Sequence, residues 1–220
     1  MLNLFFPKLC NGCKNRLLEN EQILCISCRH ELPLACFHKN NDPTLSNIFY
    51  GRFPLKAATA LLFFQKKGIT QEILHNLKYR NQQKISAFFG IWLGEELKNI
   101  YPYTTVDMVI PVPLHKKRLK ERGYNQVEGF GKELASALQV PYMDTILVKE
   151  SKTSSQVFKQ RLKRFESEAV FALKNSSAIK DKHILLVDDI VTTGATLENC
   201  ALQLLKVEGV TISIATIAIA

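Results

Sequence analysis

The chain has 220 residues, 46% of them hydrophobic and 22% charged, with 29 Lys and Arg against 20 Asp and Glu for a formal net charge of +9. That balance is globular and excludes a disordered chain; no apolar run reaches the ~18 residues that cross a bilayer. The length accommodates one α/β domain with a small appendage, and the positive excess implies an anionic partner.

The opening Met1-Leu-Asn-Leu-Phe-Phe-Pro7 lacks the basic segment and long apolar core of an export signal, so the expected compartment is the cytoplasm. Cys10-x-x-Cys13 and Cys25-x-x-Cys28 follow, two thiol pairs separated by eleven residues. Each pair can turn both sulfurs toward one ion while the segment between them closes a loop, as a four-thiolate structural zinc site requires. Lys8, Lys14, Arg16 and Arg29 are expected to favour the thiolate forms. Disulfides fit poorly without an export signal, and a redox Cys-x-x-Cys needs only one pair. Cys36 and His38 are spare ligands read as bystanders, and Cys200 is read as a small core residue.

This places a zinc-binding module at residues 1–33, a hood and helical segment at 34–100 and an α/β core at 101–220. Within the hood, residues 48–65 suggest a hairpin turning at Gly51-Arg-Phe-Pro54. Residues 70–99 carry a helical stripe of Ile73, Leu74, Leu77, Ile85, Phe88, Phe89, Trp92, Leu93 and Leu97. The basic tract 52–84 includes Lys78-Tyr79-Arg80, an aromatic between two cations. It reads either as a solvated helix face or as a contact for nucleic acid.

The core begins with a strand from Val106 to Val112, then a basic turn, and a helix from about Gln126 to Leu138. Ile146 to Val148, Ala169 to Leu173, Ile184 to Val187 and Ile212 to Ile219 are further strands. Strands alternating with helices predict a doubly wound, mostly parallel sheet, whose ligands bind beyond the carboxyl ends of its strands. Two segments, 111–126 and 149–164, together hold eleven cations and two carboxylates, while the rest of the chain is balanced. The positive excess is therefore local and should face the site.

The segment Ile184-Leu-Leu-Val-Asp188-Asp189-Ile-Val-Thr192-Thr193-Gly194-Ala-Thr196 orders a buried strand, an acidic pair, a hydroxyl-rich turn and a helix. Backbone N–H groups and the positive helix end then converge where a phosphate can sit. Thr192, Thr193 and Thr196 add donors, and Gly194 lets the backbone come close. Asp188 and Asp189 repel phosphate and suit sugar hydroxyls or waters on magnesium.

This segment resembles the phosphoribosyl-pyrophosphate (PRPP) motif of type I phosphoribosyltransferases. The resemblance implies a fold of that type, ribose hydroxyls on Asp188 and Asp189, and a 5-phosphate wrapped by Val191, Thr192, Thr193, Gly194, Ala195 and Thr196. It also implies magnesium bound with PRPP. Pyrophosphate, or the phosphates of DNA, would be held by Lys117, Arg118, Arg122, Arg161 and Arg164, with the loop bearing the last two closing over the site.

A wider resemblance covers essentially the whole chain. The thiol pairs, the run Pro111-Val-Pro-Leu-His-x-x-Arg-x-x-x-Arg-Gly-Tyr-Asn-Gln126, Thr153-x-x-Gln156, Arg161, Arg164, Phe171 and the PRPP motif are together similar to the ComF family of bacterial competence proteins. Ser167 departs from that pattern, which usually has Asn there, and His115 matches it without being assigned to catalysis. The resemblance implies uptake and handling of single-stranded DNA beside a helicase-like partner. Two other readings are an active phosphoribosyltransferase with an unidentified acceptor and a PRPP sensor without turnover. A glutamine-dependent amidophosphoribosyltransferase is not expected, since position 2 is Leu2 rather than Cys and the length leaves no glutaminase domain. Recognition residues beyond the last strand are not expected either, the chain ending at Ala220.

Overall fold

The computed structural model describes residues 7–79, 82–150 and 170–220, with only the backbone at 116, 117 and 170. Four parallel strands form its main sheet in the order β1-β6-β5-β2: β1 (Ala57–Phe63), β2 (Met108–Pro111), β5 (His183–Val191) and β6 (Thr211–Ile219). Both faces are covered, so these strands carry near-continuous apolar runs. Alternate residues of β5 serve two cores. Leu185 and Val187 pack with helices α4 (Ile69–Tyr79), α5 (Gln83–Leu97) and α7 (Glu128–Leu138). Ile184 and Leu186 pack with α2 (Phe37–Asn40), α3 (Thr44–Asn47) and α8 (Ala195–Leu204). The sheet is parallel with helices on both faces, as the sequence predicts, and a four-cysteine ribbon lies ahead of it.

The register explains where the sheet opens. β2 pairs with β5 only as far as Pro111 opposite Val187, with a last Val112 N–H to Val187 carbonyl bond at 2.9 Å. β6 stays paired with β5 out to Val191. Asp188 and Asp189 therefore project beyond the end of β2 while β6 still supports them, and a crevice opens on the β2 side.

Four expectations are corrected. Residues 48–65 do not form a hairpin; Leu45, Phe49 and Phe53 recur at helical spacing and are buried, and β1 pairs with the distant β6 instead. The basic turn after β2 is a short helix, α6 (Lys116–Arg122). The strand ending in the acidic pair does not stop at Val187, because β5 carries Asp188 and Asp189 within it. Finally, β3 (Leu147–Glu150) and β4 (Val170–Leu173) lie outside the parallel sheet as an antiparallel ribbon. β3 runs from buried Leu147 to exposed Glu150, which suits a ribbon and not a sheet covered on both faces. No described helix is long and apolar enough to cross a membrane.

Candidate sugar-phosphate site and four-cysteine centre

The acidic pair is held from both sides. Asp188 Oδ1 accepts the Asp189 backbone N–H at 2.8 Å, and Asp189 Oδ2 lies 3.0 Å from Lys78 Nζ at the end of α4. Burial, then the charge of Asp189, push the Asp188 carboxyl up to about 8; Lys78 and Lys149 pull the other way. Asp188 therefore holds its proton to a higher pH than a free carboxylate does. Lys149, on β3 with its Nζ 5.1 Å from the Phe171 ring centre, is itself shifted down by burial and then by Arg118.

After Val191 the backbone turns through Gly194, whose φ of +78° is left-handed. A Cβ there would meet Phe49 Cε1 at 2.7 Å and Ile48 Cγ2 at 2.9 Å, so glycine is required both by conformation and by space. The turn delivers Thr192, Thr193 and Thr196 to the surface and starts α8 at Ala195. Thr193 Oγ1 accepts the Ala195 N–H at 3.4 Å. Arg52 donates to the Thr193 carbonyl at 2.8 Å and reaches Glu198 at 3.2 Å, bracing the turn from the hood.

Beside the acidic pair lies a cleft of about 710 Å³ lined by Lys78, Tyr79, Arg118, Glu121, Arg122 and Tyr124. Arg122 is oriented by a 2.7 Å bond to Gln126 Oε1 and stands 5.4 Å from the centre of the exposed Tyr79 ring. The Tyr124 hydroxyl donates to the Leu77 carbonyl, tying the α6–α7 turn to α4. Of the expected phosphate-binding cations, Arg118 and Arg122 come together here. Lys117 falls on α6, and Arg161 and Arg164 lie outside the described residues. Sequence reasoning left Lys78 between two readings and missed Lys149 and Arg52. Nothing local marks Arg52, whose partners are more than 140 residues away.

The four thiols of Cys10, Cys13, Cys25 and Cys28 lie within 4.8 Å of one another, with Cys13 and Cys25 sulfurs 3.7 Å apart. Tetrahedral zinc with Zn–S bonds of ~2.3 Å places its sulfurs roughly 3.8 Å apart, so this donor set fits zinc. Backbone N–H groups point at the sulfurs, from Gly12 and Cys25 to Cys10 at 3.4 and 3.2 Å and from Cys28 to Cys25 at 3.5 Å. Burial raises the Cys10 thiol, but the N–H groups of Cys25, Cys13 and Gly12 outweigh it and bring it to about 7. Two of the cations expected to do this are engaged elsewhere: Lys14 pairs with Glu72 at 3.0 Å, and Arg29 lies 5.0 Å over the Trp92 ring. Cys200 is fully buried, and His38 is buried between Thr59 and Glu96 at 2.9 Å each, so neither joins the cluster.

The phosphoribosyl transferase domain family matches residues 128–220, which hold the β5 strand, the acidic pair and the threonine turn. Over 199 residues the sequence is 27% identical to the competence protein ComFC of Bacillus subtilis strain 168, covering 90% of this chain and 78% of that one. The chain is thus similar to the ComF competence proteins over most of its length. It is also 34% identical over 129 residues to ComFC of Streptococcus pneumoniae, covering 59% of this chain and 54% of that one. Identity to the DNA utilization protein YhgH of Escherichia coli O157:H7 is 27% over 146 residues, 64% of this chain and 63% of that one. The domain match begins at α7, so the cysteine ribbon, the hood and α6 all precede it.

Proposed function

We propose that this protein acts in the cytoplasm in the uptake and handling of single-stranded DNA, on a phosphoribosyltransferase scaffold that retains a PRPP site. The observation that carries the reading is the juxtaposition of the Asp188–Asp189 pair and its threonine turn with the basic cleft of Lys78, Arg118 and Arg122. The turn suits a 5-phosphate, the carboxylates suit ribose hydroxyls or waters on magnesium, and the cleft suits either a diphosphate or the backbone of a strand. Tyr79, two-thirds exposed among these cations, offers a face on which a base can stack. Competence and DNA utilization in the relatives' names support the DNA side of the reading. A helicase-like protein is the partner proposed for the strand.

An active phosphoribosyltransferase is the second reading, favoured by the complete acidic pair and turn. In it PRPP would bring magnesium, which supplies charge neutralisation for a departing diphosphate. Asp188 and Asp189 would orient the ribose, while Arg118 and Arg122 face the leaving group. A sensor that binds PRPP without turnover shares the same site.

Calorimetric titration of PRPP with magnesium into wild type and the double variant Asp188→Asn/Asp189→Asn tests the site. Binding by wild type alone is expected. Equal binding by both would remove the acidic pair from the site, and no binding by either would leave the cleft to DNA.

A further inference from the structure

We infer that Lys78 is a further ligand-binding residue of this site, the one that reads the diphosphate end of a 5-phosphoribosyl diphosphate. The inference rests on the PRPP reading above and deepens it.

Lys78 belongs to the hood helix α4, in a part of the chain outside both the threonine turn and the basic helix α6. Its side chain is 24% exposed and that of Asp189 13%, with 3.0 Å between Nζ and Oδ2. That is a half-buried lysine paired with a carboxylate on the wall of a cleft, not a member of a solvated helix face. The same side chain lines the cleft with Arg118 and Arg122, where Glu121 is the one carboxylate among the lining residues. Lys78 is thus the group shared by the acidic pair and the cationic cleft.

Ligand geometry then decides what it meets. A ribose with its 5-phosphate on the threonine turn and its hydroxyls on Asp188 and Asp189 carries its C1 substituent away from the turn. The Lys78 side of Asp189 is where the cations gather. A diphosphate at C1 brings several negative oxygens into that cleft, and a lysine's four-carbon stem can move its ammonium a few ångströms without moving the backbone. The backbone is fixed: the Leu77 carbonyl accepts the Tyr124 hydroxyl, and Asn76 Nδ2 donates to the Asn11 carbonyl at 3.0 Å. Lys78 can therefore keep its contact with Asp189 while taking a diphosphate oxygen as a second partner.

The test compares wild type with Lys78→Met, which keeps the stem and removes the charge, and with Lys78→Arg, which keeps the charge. Three probes are titrated by calorimetry: PRPP with magnesium, ribose 5-phosphate, and an oligo(dT) strand. Lys78→Met is expected to weaken PRPP at least tenfold while leaving ribose 5-phosphate within about threefold, and Lys78→Arg to stay near wild type for both. Lys78→Gln replaces the methionine variant if the latter melts well below wild type. Unchanged PRPP affinity, an equal loss for PRPP and ribose 5-phosphate, or a loss confined to oligo(dT) each overturns the inference while the PRPP site stands. Failure of wild type to bind either phosphoribosyl probe removes the PRPP reading, and this inference with it.

Discussion

The cysteine ribbon and the threonine turn both hold a few polar atoms in a fixed array, yet their order comes from different sources. Among the described residues the ribbon buries Leu17, Ile23, Leu24 and Leu32 beside its thiols, and it leaves Leu9, Leu18 and Ile26 exposed. So little apolar surface cannot offset the entropy of ordering its backbone, and the sulfur cluster must organise it. The turn instead hangs from β5, which β6 pairs along its length and β2 pairs as far as Val187, and from Phe49 and Ile48 beneath Gly194. One array depends on a single ligand; the other depends on the whole sheet. They should therefore fail at very different cost.

The largest effect is expected from Cys25→Ser/Cys28→Ser. Structural zinc sites contribute on the order of 10–16 kcal/mol of apparent binding energy, so metal content should fall to background and the ribbon should become protease-sensitive. Metal analysis and limited proteolysis check this, and unchanged zinc would break the contrast. Next is Gly194→Val, which combines a left-handed φ with a clash against Phe49 and should cost roughly 2–4 kcal/mol. Its melting temperature should drop by several degrees with zinc still bound.

The third prediction concerns pH. The folded Asp188 carboxyl sits at about 8 against a reference of 3.8, so folding favours its protonated form. That contribution is present in full below about pH 4 and is lost as pH rises through 8. Melting temperature should fall between pH 5 and 8.5 in wild type, and the fall should shrink in Asp188→Asn. A matching profile in the two proteins would show that the buried acid is not coupled to folding. PRPP binding should run in the opposite direction, strengthening toward pH 8 as the proton leaves.

Smaller effects separate the cleft from the turn. Arg118→Ala/Arg122→Ala should reduce the salt dependence of oligo(dT) binding by a log–log slope of about 1.4, from ~0.7 per phosphate contact on single strands. Arg52→Ala releases the Thr193 carbonyl and should weaken ribose 5-phosphate by only about two- to fivefold. An unaltered salt slope in the first case would take the strand out of the cleft.

What could be read in the sequence follows from how each feature is assembled. The thiol pairs and the run from Ile184 to Thr196 are contiguous, so their chemistry and spacing are visible before folding. The helices α4, α5 and α7 declare themselves by periodic apolar residues. The segment around Phe49 misled because its burial is helical in spacing while its composition resembles a strand and turn. β3 and β4 misled because a short apolar run does not reveal which sheet it joins. The ion pair of Lys78 with Asp189 spans 111 residues of sequence, and only the register of β5 against β2 shows that Asp189 faces that way. Site residues supplied by the hood are thus the ones that sequence proximity hides.

One consequence belongs to α4. Near its start, Ile69 presses on Gly12 and Glu72 pairs with Lys14; midway, Asn76 holds the Asn11 carbonyl; at its far end stands Lys78 on Asp189. Eleven residues of helix, about 16 Å of rigid rod, run from the thiol cluster to the Asp188–Asp189 pair. Loosening the thiol cluster would free the near end of that rod and so displace Lys78 from Asp189 at the far end.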